Sequence, residues 1–304
     1  MPRFRYLTCD VFTSVPFGGN QLAVFPDARG IPEQRLLDVT REFNYSETTF
    51  VYPPADARHA RHVRIFTPGG EVAFAGHPTV GTAHVLAETG EIALTGETTN
   101  IVLEEKVGPV RVAIRTEGGR PVFAQLSVAK LPEVLAPPPS RDELARVLGL
   151  EVDDLRGGDW SPQAMSCGLP FIFVPLHDRA AVTRARIRMD AWEATLGNAP
   201  VGEIMVFAPG GERAGTDYRA RMFAPGLSVP EDPATGSACA ALGGYLATRD
   251  ARRNGTLRWI VEQGFEMGRP SMLDVEADVA QGAVTAVRVG GDTVLMSEGT
   301  MAIS

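Results

Sequence analysis

Two polar side chains stand directly before a proline in two stretches that otherwise read alike. RIFTPGGEVAFAGHPTVGTA (64–83) presents His77 before Pro78, and RMFAPGLSVPEDPATGSACAA (221–241) presents Asp232 before Pro233. The stretches share Arg, Phe, Pro and Gly at their starts (Arg64, Phe66, Pro68, Gly69 against Arg221, Phe223, Pro225, Gly226) and Pro, Gly and Ala at their ends. Such a repeat supplies two related frames. In each, the proline suits the first turn of a helix, and the flanking Gly, Thr or Ser leaves backbone N–H groups free at a helix start. Each frame is a candidate cradle for an anion. In an acidic chain without a Walker or dinucleotide-binding motif, two cradles point to a small ligand that carries a carboxylate.

The elements that must position these frames are strands and short helices. RYLTCDVF (5–12), QLAVF (21–25), TTFVY (48–52) and HVRIF (62–66) have strand patterns, and IPEQRLLDVTREF (31–43) reads as a helix between them. The first repeat copy then runs into a helix over Thr79–Glu88, followed by the strand-like IVLEE, VRVAI and VFAQLSV. After a proline cluster, Ser140 and Glu143 form a capping-box pattern at a helix start. The second half repeats the plan, with strands FIFVPL, IMVFA and YRARMFA, a helix near Asp190–Leu196 and a small-residue helix over Thr235–Ala247. RPVFAQLSV and GDTVLMSEGT read as strand-like core. The pattern predicts an α+β fold with an N-terminal lobe over 1–125 and a C-terminal lobe over 126–304, the last strand being free to return to the first lobe. Duplicated lobes place equivalent loops at their interface, so His77 and Asp232 are expected to approach across a cleft.

Composition excludes several classes. With 304 residues there is material for two lobes, and 22% charged and 44% hydrophobic residues are ordinary for a soluble globular protein. No apolar run approaches the ~20 residues of a membrane-spanning helix, and Asp10 interrupts the apolar start where a signal peptide would need continuity. A net charge of -8 and a pI near 5.3, with scattered arginines, argue against a nucleic-acid surface. Cys9, Cys167 and Cys239 are widely separated and fit neither a disulfide framework nor a metal or redox motif, which makes a reducing, cytoplasmic setting the default. His59, His62 and His84 have no Cys or carboxylate at ligand spacing beside them, so no metal site is expected.

DVFTSVPFGGNQLAV (10–24), NYSETTFV (44–51), AGHPTVGTA (75–83) and RMFAPGLSVPEDPATGSA (221–238), in this order, resemble the phenazine-biosynthesis PhzF family. The resemblance implies the fold of diaminopimelate epimerase, two pseudo-symmetric lobes each with a sheet wrapped around a central helix and the active-site cleft between them. It implies a cofactor-independent isomerase that moves a proton on a small carboxylate-bearing substrate, acting as a homodimer. The family's best-defined reaction is isomerisation of a dihydro-hydroxyanthranilate-like acid. Position by position, its acid/base glutamate falls on Glu47, its cleft histidine on His77, its aspartate on Asp232 and its hydroxyl on Ser237. Asn20, Ser46, Gly76 and Gly236 match positions that line the substrate or offer N–H groups to its carboxylate. A carboxyl among Tyr45 and Phe50 would be partly desolvated, which raises its pKa toward a range useful for taking and returning a proton. His77 and Asp232 would orient the substrate and stabilise developing charge.

The residues taken alone leave blander readings open. Glu47 also fits a solvated strand residue, His77 a packed histidine bonded to backbone, Ser237 a helix cap, and Gly76 and Gly236 positions needed only for conformation. Racemases of this fold use a cysteine from each lobe on opposite faces of a carbon, and neither motif here contains such a pair. A single-glutamate isomerase is therefore preferred over a racemase or epimerase, and over a carboxylate-binding protein without turnover. TGSA lacks the GxSxG elbow of a hydrolase. The pocket walls are expected from TSVPFGG (13–19), DWSPQAMSCGLP (159–170) and GLSVPE (226–231).

Overall fold

The computed structural model describes residues 1–227 and 229–304; Ser228, within the GLSVPE segment, lies outside the described residues. The chain divides into two compact units. One comprises Met1–Ala129 with Arg288–Ser304, and the other Lys130–Val287.

The first unit opens with β1 (Arg3–Val11), β2 (Asn20–Phe25), α1 (Leu36–Phe43), β3 (Glu47–Tyr52), β4 (Arg61–Thr67) and β5 (Gly70–Val72). It continues through α2 (Gly76–Glu88), β6 (Thr98–Glu105), β7 (Gly108–Glu117) and β8 (Arg120–Ser127). β2 and β3 pair in parallel, β3 and β4 antiparallel, β4 and β6 in parallel, and β6 and β7 antiparallel. The sheet curls around α2, which lies against β1, β2, β3, β7 and β8. Every residue from Gly76 to Ala87 is buried, as befits a helix with no charged residue before Glu88.

On the other face of the sheet, Phe25, Phe50 and Phe66 pack with Leu36 and Val39 of α1. The α-helix here begins at Leu36, not at Ile31. Pro32 is extended and the chain passes through a short tight turn over Glu33–Arg35 before the helix starts.

The second unit repeats the plan. It contains β9 (Glu133–Val134), α3 (Arg141–Leu148), β10 (Gln163–Ser166), β11 (Pro170–Pro175), α4 (Arg179–Arg184) and α5 (Met189–Leu196). There follow β12 (Ile204–Pro209), β13 (Tyr218–Ala224), β14 (Val229–Asp232), α6 (Gly236–Ala247), β15 (Gly255–Gln263), β16 (Ser271–Ala280) and β17 (Ala283–Gly291), whose residues from Arg288 on belong to the first unit and pair with β8. The parallel, antiparallel, parallel, antiparallel order recurs from β11 to β16, and α6 is buried from end to end against β10, β11, β15 and β16.

The last strand, β18 (Thr293–Ala302), pairs with β1 in the first unit. It is a strand but not core, since only Thr293 is buried along its length. At the head of α3, Ser140 accepts the Glu143 amide while the Glu143 carboxylate accepts the Ser140 N–H, closing the capping box. Ser140→Ala is expected to cost about 1 kcal/mol in urea unfolding, the usual effect of losing such a cap.

Candidate active site

In the first unit the expected residues gather at one end of β2 and β3, where α2 begins. Gly19, held at φ +62, turns the chain so that Asn20 opens β2; a Cβ at Gly19 would stand 2.3 Å from the Val11 carbonyl oxygen, so only glycine fits. Asn20 is buried and pairs with Val11. Left-handed Asn44 ends α1, and the chain passes through half-buried Ser46 into β3, whose first residue, Glu47, pairs with Leu22.

Glu47 shares a sheet face with Thr49, whose hydroxyl meets that of Thr82 on α2 at 2.9 Å. The Glu47 side chain is 16% exposed, and its Oε2 stands 3.5 Å from His77 Nε2. Phe50 does not help to enclose it. Three residues along a strand places Phe50 on the opposite face, stacked on Phe25 at 5.2 Å, while the Tyr45 ring lies against Phe43. What encloses Glu47 is α2.

His77 is the second residue of α2 and is 3% exposed. Its ring hydrogen-bonds the backbone of Gln21, next to Asn20, and burial pushes its pKa down to about 3, against the opposing effect of that bond. The imidazole is therefore neutral at ordinary pH. His84, two turns further along the same face of α2, is likewise pushed down to about 4 by burial, partly offset by Glu88.

Both histidines bury a ring nitrogen without a hydrogen-bond partner, and burial disfavours the charged form of each. Their folded pKa values lie below the unfolded value near 6.5, so their contribution to stability is complete above about pH 6.5 and is lost as pH falls toward 3–4. We expect the melting temperature to fall steeply between pH 6.5 and 4. By calorimetry, a variant with Gln at both 77 and 84 should lose clearly less over that interval.

In the second unit, Asp232 closes β14 opposite Met222 and is 7% exposed. Thr235 Oγ1 donates to its Oδ2 at 2.5 Å, and Gln263 Nε2 donates to its backbone oxygen at 2.7 Å and to Thr235 Oγ1 at 2.9 Å. Gly236 and Ser237, both buried, are the first two residues of α6.

The structure corrects the pairing of the two repeat copies. Ile65 faces Val72 across one hairpin and Met222 faces Asp232 across the other. Arg64 holds Glu71 at 2.7 Å as Arg221 holds Glu231 at 2.7 Å. The helices then begin at Gly76 and Gly236, with six residues between Gly69 and Gly76 but nine between Gly226 and Gly236. The counterpart of His77 is therefore Ser237, and that of Asp232 is Val72. Pro78 lies within the first turn of α2, whereas Pro233 precedes α6 by three residues.

Ala75 and Thr235 occupy the cap positions without a side-chain cap bond of their own, and neither first turn contains an acid. Thr235 and Gln263 were not singled out from the sequence. Thr235 stands inside the quoted motif, but Gln263 lies far along the chain and carried no local signal. The fold also brings Glu104 to His59 (2.9 Å) and His62 (3.8 Å), but Glu104 is occupied by the Ala55 and Asp56 amides, and no group of three or more side chains among the described residues is arranged to hold a metal ion. Among the described residues no helix is long and apolar enough to cross a membrane.

Comparison with known proteins agrees with the geometry. The family model described as PhzC-PhzF, phenazine biosynthesis-like protein, matches residues 9–299. The chain belongs to this family. An uncharacterized isomerase of Mesorhizobium japonicum is 38% identical over 98% of this chain and 99% of its own length. Trans-2,3-dihydro-3-hydroxyanthranilate isomerase of Pseudomonas aeruginosa is 34% identical, covering 97% of this chain and 98% of its own. The crystal structure of a PhzF-family protein of Bacillus anthracis superposes with a TM-score of 0.86 at 26% identity, over the whole of both chains. The present protein is a PhzF-family isomerase with the two-lobed fold of that family.

Proposed function

We propose that this isomerase moves a proton between two carbons on one face of a small carboxylate-bearing substrate, with Glu47 taking and returning it. The observation that carries this reading is the Glu47 carboxyl, mostly enclosed, 3.5 Å from the Nε2 of a neutral histidine in the first turn of α2. A neutral imidazole beside the carboxyl adds no fixed positive charge that would hold Glu47 ionised, so the group can change protonation state within the cycle. His77 Nε2 and the Asp232 carboxyl orient the substrate and stabilise charge that develops on it. The first-turn amides of Gly76, Gly236 and Ser237 receive the substrate carboxylate, and Asn20 and Ser46 line the site.

The cysteines favour one carboxylate over a pair of thiols. Cys9, Cys167 and Cys239 are all buried, and burial raises each thiol pKa, that of Cys167 to about 12. Thiolates are therefore scarce where a two-thiol racemase needs them. The reaction requires no cofactor, because acid and base are side chains.

The activity for which the P. aeruginosa relative is named makes cyclic dihydro-hydroxy amino acids the first substrates to try. The test is proton NMR of the protein in deuterated water with a panel of cyclic and amino-acid carboxylates. Carbon-bound deuterium in one of them supports the reading. Ligands that bind without exchange would make the protein a carboxylate binder.

A further inference from the structure

One buried carboxyl is not used by the mechanism. Glu105 ends β6, is 5% exposed, and meets Thr79 of α2. Thr79 Oγ1 lies 2.6 Å from Glu105 Oε1 and 2.7 Å from the Ala75 carbonyl oxygen, while Glu105 Oε2 is buried with no hydrogen-bond partner. A hydroxyl has a single proton. The Ala75 carbonyl can only accept, so Thr79 donates to it, and the proton in the contact with Glu105 must come from the carboxyl.

The second unit supplies an internal control. β6 pairs with β4 through His62 and Glu104, as β15 pairs with β13 through Arg219 and Glu262. Glu104 gathers the Ala55 and Asp56 amides as Glu262 gathers those of Glu212 and Arg213. The next residue along each strand is Glu105 or Gln263. Gln263, which is always neutral, ties down the turn into α6 by accepting from the Thr235 amide and donating to Asp232 and Thr235. Its counterpart Glu105 sits where a neutral donor is required.

We propose that Glu105 is kept as an uncharged carboxylic acid and is a positioning residue, donating to Thr79 and so holding the first turn of α2 that presents Gly76 and His77. Burial raises its pKa to about 8, with the Thr79 contact opposing. The titratable and charged groups on the elements around it are His77, His84 and Glu88 on α2, Arg61, His62 and Arg64 on β4, Glu71 on β5, Glu104 beside it on β6, Lys106 just beyond, and Arg111, Arg115 and Glu117 on β7. Arg64 is engaged by Glu33 and Glu71, Lys106 lies near Glu71, and Glu104 is held by its amides. Above about pH 8 the ionised carboxyl can no longer donate, and the turn that carries His77 loosens. The folded pKa lies above the unfolded one, so the associated stability is complete below the ordinary carboxylate range and is lost as pH rises through about 8.

The test uses the full chain with carboxyl-13C glutamate and 15N histidine, with Glu105→Gln as assignment control and neutral mimic. We expect a carboxyl signal, absent from the variant, that is protonated at pH 6 and titrates near pH 8. His77 ring signals should match between the two proteins at pH 6, then move between pH 7 and 9 in the wild type only. The melting advantage of the variant should widen from pH 5 to pH 8. A Glu105 carboxyl ionised at pH 6, or wild-type His77 signals that stay fixed through pH 9, would overturn the proposal. None of these readouts needs turnover, so they stand or fall separately from the assignment of Glu47.

Discussion

Replacing Glu47 with Gln should lower exchange of solvent deuterium into substrate by about 10³-fold or more while leaving ligand affinity within a few-fold. General acid–base groups typically contribute 10²–10⁴-fold, and here one carboxyl is asked to serve twice, once as base and once as acid. Glutamine keeps the shape and hydrogen-bonding reach of the side chain, and the backbone of Glu47 stays fixed by its pairing with Leu22 in β2. What the variant loses is the proton. The loss should therefore fall on kcat, since a group that acts only in proton transfer contributes little to ground-state binding. Single-turnover exchange followed by NMR, together with calorimetric binding, separates the two. Exchange retained in Glu47→Gln would move the base elsewhere, and a parallel loss of binding would make Glu47 a substrate anchor.

Gly264→Ala should unfold the protein more easily by about 3 kcal/mol or more, although the change adds one methyl group. Gly264 sits at φ +79, a region that costs other residues about 1–2 kcal/mol. A Cβ there would also stand 2.4 Å from the Arg269 carbonyl oxygen and 2.5 Å from that of Pro233, and both neighbours are backbone. Relief requires moving the chain, because the Gly264 carbonyl also accepts the Met267 and Arg269 amides. Pro233 follows Asp232, so the displacement reaches the turn that Gln263 and Thr235 hold together. Urea unfolding should show a lower midpoint with an unchanged slope. A loss under about 1 kcal/mol would mean that this turn has a second, nearly equal conformation.

Some of the site could be read directly from residue order. His77 and Asp232 stand in a repeated frame, and Ser140 with Glu143 announces a helix start, because these signals lie within a few residues of one another. The equivalence between His77 and Asp232 could not be read that way. Matching prolines suggested it, but strand pairing and helix starts set the correspondence, and three extra residues before α6 shift the second copy so that Ser237 stands where His77 does. The surroundings of Glu47 misled for a related reason. Phe50 is near in sequence but on the other face of a strand, while the histidine that touches Glu47 is thirty residues away and arrives by way of α2.

From the sequence alone came the duplication, the α+β class with its order of strands and buried helices, the acidic non-nucleic-acid character, and a family resemblance carried by long motifs. These are properties of local pattern: hydrophobic period, proline and glycine placement, and charge. The tertiary structure decided which face each side chain takes, that α2 rather than an aromatic pair encloses Glu47, that burial keeps His77 neutral, and that Glu105 and Gln263 hold corresponding turns. Those facts depend on desolvation and on hydrogen bonds between residues far apart in the chain, and they exist only once the sheets have closed around their helices.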